Sequence, residues 1–126
     1  MRLLLDTHVL LWQLSAVQRL GVRASEAIAS ASELAFSVVS FAEIGVKAAI
    51  GKLAVPDDLH AHVVGTGLRV LGLTPDHGLA VVSLPLHHRD PFDRLLVAQA
   101  RHEGLTLMTA DTRLHAYDVA VIDPRD

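Results

Sequence analysis

Short apolar segments alternate with helix-forming segments along the whole chain. The apolar segments lie at 2–6, 34–40, 68–73, 105–111 and 119–123, and each has the length of one buried strand. Helix-forming segments lie between them, at 7–14, 22–33, 41–53, 56–64, within 74–85 and at 90–104. This alternation predicts an α/β fold in which a parallel sheet of four or five strands carries helices on both faces.

Composition supports one globular domain over residues 1–126, since 51% of the residues are hydrophobic and 20% are charged. No apolar run approaches the ~18 residues of a membrane span, and we expect no signal peptide. Cysteine is absent, which excludes disulfides and thiolate metal sites and fits a reducing cytoplasm. The net charge of −3 does not by itself indicate binding to nucleic acid.

Four acidic residues follow predicted strands or begin a predicted helix. Asp6 and Asp111 end the first and fourth strand segments, and Glu43 comes three residues after the second. Asp93 lies in the first turn of the helix over 90–104. In a parallel sheet the carboxyl ends of the strands meet at one edge, which is where ligands bind, so we expect these four carboxylates to converge.

Converging carboxylates need a counter-ion. Two of them 5 Å apart repel by about 3 kcal/mol at an effective dielectric constant near 20. Mg²⁺, or alternatively Mn²⁺, binds carboxylate oxygen and water and leaves positions open for a phosphate group. Such an ion activates water and stabilises charge on a phosphodiester, so the pattern favours metal-dependent phosphate chemistry.

Each acid also has an ordinary structural interpretation as a helix cap. Asp6 or Thr7 is suited to cap the first helix, and Asp111 the segment that follows it. The stretch SFAE matches a capping box with Ser40 at the N-cap and Glu43 at N3. Asp90 precedes a proline in the N-cap position of the helix over 90–104, where Asp93 is favoured by the helix dipole.

Four stretches together resemble PIN-domain proteins, and within them the VapC-like toxins of bacterial toxin–antitoxin pairs. They are LLLDTHVLLW, SVVSFAEIGVKAAIGKL, LPLHHRDPFDRLLVAQA and GLTLMTAD. The resemblance implies a Rossmann-like PIN domain, a Mg²⁺-dependent endoribonuclease, a VapB-like antitoxin as partner and a homodimer. An apolar helix over 41–50 with hydrophobic residues on more than one face is then expected to contact the antitoxin or the second subunit.

The family's four acids fall on Asp6, Glu43, Asp93 and Asp111, which we therefore predict to be catalytic. Asp6, Asp93 and Asp111 would bind the metal, and Glu43 would position or deprotonate the attacking water. The residues expected to contact the RNA substrate are Arg89, Arg94 and Thr7, with His87 and His88 as further candidates. Thr7, Ser40 and Thr109 are expected to donate hydrogen bonds around the acids.

Two other functions remain open from the sequence. One is a metal-dependent phosphatase acting on small phosphoesters, although His8 stands two residues after Asp6, where an aspartyl-nucleophile enzyme would need an acid. The other is an inactive or structural metal-binding module that acts by binding proteins. RNA cleavage that requires Mg²⁺ would distinguish the endoribonuclease from both of these alternatives.

Overall fold

A computed structural model describes residues 1–126 as one five-stranded sheet with helices packed around it. The strands are β1 (Arg2–Leu5), β2 (Glu33–Ser37), β3 (Arg69–Leu71), β4 (Thr106–Met108) and β5 (Val121–Ile122). The α-helices are α1 (Thr7–Ser15), α2 (Val22–Ser30), α3 (Val38–Ala49), α4 (Leu59–Gly65), α5 (Pro75–Ala80) and α6 (Pro91–Glu103). Short 3₁₀ turns lie at Val17–Arg19, Val81–Ser83 and Leu114–Ala116.

The strand order is β3-β2-β1-β4-β5, and every neighbouring pair is parallel. The first strand is therefore central, with Leu4 opposite Ala35 on one side and Leu107 on the other. The chain adds β2 and β3 on one side of β1, and β4 and β5 on the other. This change of direction opens a crevice at the carboxyl ends of β1 and β4, where ligands bind in sheets of this kind.

Helices cover both faces of the sheet, which confirms the predicted α/β class. Side chains alternate along each strand, so Leu4 faces one layer while Leu3 and Leu5 face the other. Leu4 belongs to a core completed mainly by α6, and Leu3 and Leu5 to a core completed by α1, α2 and α4. All three leucines are fully buried, as expected for a strand that is covered on both sides.

The second strand ends earlier than predicted, and α3 therefore begins earlier. Every residue of α3 occupies a later position within the helix than the sequence pattern predicted. The pattern placed a strand over 34–40 and a helix from 41, whereas β2 ends at Ser37 and α3 begins at Val38. The Ser37 hydroxyl accepts a 3.0 Å hydrogen bond from the Val39 N–H and caps the helix. This cap outweighs the strand preference of the β-branched pair Val38 and Val39.

Other boundaries differ by a few residues. The strand predicted over 105–111 ends at Met108, because its outer neighbour β5 offers only Val121 and Ile122 for pairing. Asp111 therefore lies in the loop beyond β4 rather than directly after the strand. The helix predicted to open at Pro56 begins at Leu59, after Asp58 in a left-handed conformation with φ 51°. No helix combines the length and the apolar composition that crossing a membrane requires.

Candidate metal and active site

Asp6 is held where β1 passes into α1, and it caps that helix. One carboxylate oxygen accepts a 2.6 Å hydrogen bond from the Thr7 N–H, and the other accepts a 2.7 Å bond from the Thr109 hydroxyl. Only 7% of the residue is exposed, and this burial raises the pKa of Asp6 even though both hydrogen bonds act to lower it. The cap is therefore Asp6 and not Thr7, and its carboxylate also lines the cleft described below.

Glu43 lies in the middle of α3, so the proposed capping box with Ser40 is wrong. Its carboxylate is buried, accepts a 2.6 Å hydrogen bond from the Thr7 hydroxyl, and forms an ion pair with Lys47 one turn later. The Thr7 hydroxyl oxygen also lies 2.8 Å from Ser40 Oγ. Hydrogen bonding to Glu43 raises the pKa of Lys47. The buried Glu43 carboxylate therefore lines the cleft described below and does not cap a helix.

Asp93 lies in the first turn of α6, after an N-cap formed by Asp90. The Asp90 carboxylate accepts hydrogen bonds from the Phe92 and Asp93 N–H groups, at 2.8 and 3.3 Å. Burial raises the pKa of Asp93 to about 8, and the charges of Asp6, Asp90, Glu43 and Asp111 add to this. The Asp93 carboxyl is therefore protonated at neutral pH unless a cation replaces the proton. The predicted capping role of Asp90 is confirmed.

Asp111 follows β4 by three residues and belongs to a more open part of the cleft. Arg113 donates hydrogen bonds to both carboxylate oxygens, and His88 Nε2 lies 3.0 Å from Oδ2. Burial acts to raise the pKa of Asp111, but the hydrogen bonds and charge of Arg113 outweigh it and hold the pKa below its usual value. At neutral pH Asp111 is therefore ionised, whereas Asp93 is protonated unless a cation is bound.

The four acids meet as two groups that share Asp93. One oxygen from each of Asp6, Glu43 and Asp93 lies within 4.8 Å of the others, and the same holds for single atoms of His88, Asp93 and Asp111. They line a cleft of about 370 Å³. The remaining residues around this cleft are His8, Trp12, Lys47, Asp90, Ala110 and Arg113. Three clustered carboxylates form an all-oxygen donor set of the kind that a hard divalent cation prefers.

The structure places the three residues expected to contact substrate away from the open cleft. Thr7 is fully buried, and its hydroxyl faces Glu43. The Arg94 guanidinium donates hydrogen bonds to the backbone carbonyls of residues 81, 84, 85 and 88 and to the Tyr117 hydroxyl. Arg94 is therefore not free to hold a phosphate group. Arg89 is exposed but does not line the cleft.

Sequence reasoning missed several residues of this cleft. His88 was considered only as an RNA contact, whereas it is buried and lies against Asp93 and Asp111. Arg113 and Trp12 also line the cleft, with the Arg19 guanidinium 4.2 Å from the centre of the Trp12 ring. The Glu43–Lys47 pair was visible in the sequence as an i,i+4 spacing, which places two side chains on one face of a helix.

Comparison with known proteins agrees with this geometry. Residues 3–120 match the family model of the PIN domain. The chain belongs to the PIN domain family. It is 37% identical to Ribonuclease VapC22 of Mycobacterium tuberculosis strain ATCC 25618 / H37Rv over 122 residues, which cover 90% of each protein.

Solved structures with the same PIN fold are more distant in sequence. VapBC2 from Rickettsia felis, bound to a DNA fragment from its promoter, gives a TM-score of 0.73 at 14% identity and covers 97% of this chain and 98% of that one. FitAcB from Neisseria gonorrhoeae gives a TM-score of 0.68 at 22% identity, with 97% of each chain covered. VapBC-1 from nontypeable Haemophilus influenzae gives a TM-score of 0.68 at 17% identity over the whole of both chains. At these identities the likeness shows the fold.

Proposed function

We propose that this PIN-domain chain is a metal-dependent endoribonuclease that cleaves RNA phosphodiester bonds and serves as the toxin of a toxin–antitoxin pair. The observation that carries the proposal is the meeting of Asp6, Glu43 and Asp93 oxygens within 4.8 Å at the carboxyl edge of a parallel sheet. Similarity to Ribonuclease VapC22 over nearly the whole chain supports the same activity.

The residues present fit a bound Mg²⁺ ion, with Mn²⁺ as the alternative. Asp6, Asp93 and Asp111 would hold it, because all three line the cleft and a carboxylate oxygen of Asp93 lies within 4.8 Å of one from each of the other two. Burial, with the neighbouring carboxylates adding to it, raises the pKa of Asp93, so its charge is disfavoured when no cation is present. When bound, the ion supplies charge stabilisation for the phosphodiester and lowers the pKa of water at the site.

Side chains around the cleft are assigned the proton transfer and the contact with the substrate. Thr7 fixes the direction of the Glu43 carboxylate, and Lys47 balances its charge. Glu43 is thereby positioned to accept a proton from the attacking water, which is the task of a general base. Arg113 is the exposed cation at the rim of the cleft, where it can contact the phosphate backbone next to the scissile bond. Arg89 stays a predicted RNA contact outside the cleft.

The partner is proposed to be a VapB-like antitoxin, and the toxin itself a homodimer. VapBC assemblies are among the proteins that share this fold. Val46 on the outer surface of α3 and Ile50 at the C-cap of this helix are 52% and 63% exposed, while Ile44 on α3 is buried in the core. Val46 and Ile50 are four positions apart and so adjacent on the surface, which makes them a candidate contact for a second chain.

Labelled RNA with a single-stranded loop is the substrate for the direct test. The parent protein should cleave it with Mg²⁺ and not with EDTA, and should release no phosphate from p-nitrophenyl phosphate. Asp93→Asn should abolish cleavage, whereas Asp76→Asn is the matched control, because Asp76 is an exposed acid in the first turn of α5. Cleavage by Asp93→Asn at the parent rate contradicts the proposal, and phosphate release without RNA cleavage identifies a phosphatase.

A further inference from the structure

His88 lies between two of the carboxylates without being one of the acids assigned to the site. Its Nε2 is 3.0 Å from Asp93 Oδ2 and 3.0 Å from Asp111 Oδ2, and only 8% of the residue is exposed. The neighbouring His87 is exposed and packs against the edge of Tyr117 instead. Two histidines adjacent in sequence therefore occupy different environments, and only His88 faces the acids.

Hydrogen bonding at the other ring nitrogen defines the tautomer of His88. Nδ1 accepts a 3.1 Å hydrogen bond from the Asp90 backbone N–H, which requires a lone pair on Nδ1. The proton of the neutral ring is therefore on Nε2, between the Asp93 and Asp111 oxygens. For Nε2 to bind a metal, the proton would have to move to Nδ1, opposite the Asp90 N–H. That exchange breaks a hydrogen bond at the N-cap of α6.

The backbone on both sides of the His88 ring is also fixed. The His88 N–H donates a 3.0 Å hydrogen bond to the Tyr117 hydroxyl, and Arg94 donates to the His88 carbonyl at 3.4 Å and to the Tyr117 hydroxyl at 3.2 Å. Arg94 further donates to the Pro85 carbonyl at 2.9 Å. Arg94 thus anchors the backbone segment that carries His88. Hydrogen bonds therefore fix both the backbone position of His88 and the tautomer of its ring.

We propose that His88 is a positioning residue that orients Asp111 toward the cation by donating Nε2–H and holds Asp93 beside the same nitrogen, and that it is not itself a metal ligand. The inference rests on the proposed metal-dependent function. It gives Asp93 a close neighbour besides Asp6 and Glu43. Partners of this kind that orient metal ligands contribute about 10- to 100-fold in metal affinity or activity.

Two amide substitutions separate the two ring nitrogens. Glutamine places an N–H donor near the position of Nε2, whereas asparagine places an acceptor near Nδ1 and lacks the reach to the carboxylates. His88→Gln therefore retains a donor beside Asp93 and Asp111, and His88→Asn retains the acceptor for the Asp90 N–H. His62→Asn is the control for the chemical change, because His62 is exposed on α4 and lies outside the cleft.

Mg²⁺ affinity measured by calorimetry without RNA is the first readout, with thermal unfolding of each metal-free variant alongside. We expect His88→Asn to bind Mg²⁺ at least ~10-fold more weakly, and His88→Gln and His62→Asn to stay within about threefold of the parent. Single-turnover cleavage should follow the same order. Parent-like affinity in His88→Asn, or an equal loss in His88→Gln, would show that the Nε2 donor does not act on the ligands.

The second readout is made on the parent protein, and a variant is needed only to assign a nitrogen coupling if one is found. Mn²⁺ bound to the parent protein should show no directly coordinated nitrogen in pulsed electron paramagnetic resonance. A strong nitrogen coupling that disappears in His88→Gln would make His88 a ligand and overturn the inference. Failure of the parent to bind Mg²⁺ or Mn²⁺ contradicts the proposed function as well, whereas parent-like Mg²⁺ binding by His88→Asn contradicts this inference alone.

Discussion

The Thr7 hydroxyl donates a 2.6 Å hydrogen bond to the Glu43 carboxylate and thereby joins the first turn of α1 to the middle of α3. Both residues are buried, so water cannot replace this bond if the hydroxyl is removed. We expect Thr7→Val to lower the free energy of unfolding by about 1–3 kcal/mol, the usual cost of leaving a buried polar group unpaired. Thr7→Ser keeps the hydroxyl and should recover most of this loss and of the cleavage rate. Urea unfolding and single-turnover cleavage of both variants test the assignment, and equal behaviour of the two variants would contradict it.

Glu43→Gln should separate the chemical role of this residue from its structural one. The amide still accepts a hydrogen bond from Thr7, and Lys47, the partly exposed member of the ion pair, keeps access to water, so the melting temperature should stay within a few degrees of the parent. The amide is a poor base, and RNA cleavage at saturating Mg²⁺ should fall by ~10²-fold or more. Glu26→Gln on the exposed surface of α2 is the control. Unchanged cleavage in Glu43→Gln would leave Asp6, Asp93 and Asp111 as the whole site.

Asp93→Asn should abolish cleavage without destabilising the metal-free protein. Burial and the surrounding carboxylates disfavour a charge at this position, and asparagine carries none. We expect the metal-free variant to be as stable as the parent or more stable, and the stabilisation by added Mg²⁺ to be reduced, because ligand binding stabilises only the state that binds it. Thermal unfolding with and without Mg²⁺ measures both effects. A variant that gains as much stability from Mg²⁺ as the parent does would remove Asp93 from the metal site.

Stability of the metal-free protein should depend on pH through the same residue. The pKa of Asp93 is about 8 in the folded state against an ordinary value of 3.8, so between these values the folded state holds more protons than the unfolded state. The free energy of unfolding therefore decreases as the pH rises from about 4 to about 8, and Asp6, whose pKa is also raised, acts in the same direction. The lowered pKa of Asp111 acts at lower pH, where its contribution is lost as the carboxylate is protonated.

Urea unfolding of the metal-free parent and of Asp93→Asn over this pH range checks the prediction. The informative quantity is the difference between the two proteins at each pH, because all other titratable groups are common to both. This difference should favour Asp93→Asn increasingly as the pH rises. A difference that does not change with pH would mean that Asp93 titrates near its ordinary value. Saturating Mg²⁺ should stabilise the parent more at about pH 8 than at about pH 6, because less proton is displaced.

The exposed surface of α3 should decide antitoxin binding without affecting catalysis. Val46→Glu places a charge where we expect an apolar contact, and should weaken binding of the cognate antitoxin while cleavage by the isolated toxin stays at the parent level. Val82→Glu is the matched control, because Val82 is 91% exposed and lies in the 3₁₀ turn at Val81–Ser83, outside α3. Hydrogen exchange in α3 should slow when the antitoxin is added. Unchanged exchange would place the contact elsewhere.

Alternation of strands and helices was predictable because it depends on local hydrophobic patterns. The five strands, their parallel arrangement and the position of Asp6 at the end of β1 all follow from short stretches of sequence. The start of α3 was not predictable in the same way, since the side chain of Ser37 competes with the strand preference of Val38 and Val39 over a difference of about 1 kcal/mol.

Interactions between distant residues account for the rest of what the sequence did not show. Arg94 appeared suited to a phosphate because arginine often binds one, but its partners are carbonyls of a loop whose path is set by the fold. His88 interacts with Asp111, which is 23 residues away, and no spacing rule connects them. The position of a side chain in a loop depends on tertiary packing, so residue type alone could not separate a ligand, a positioning group and a substrate contact.

The hydrogen bond from Thr109 to Asp6 joins residues that are 103 positions apart, and it has a consequence for synthesis of the protein. Asp6 emerges from the ribosome 103 residues before Thr109, which follows its neighbour β4 and precedes the loop with Asp111. An incomplete chain that stops before β4 contains Asp6, Glu43 and Asp93 yet lacks the strand that closes the crevice. A nascent toxin should therefore remain without nuclease activity until β4 and the loop with Asp111 have been translated and have joined the sheet.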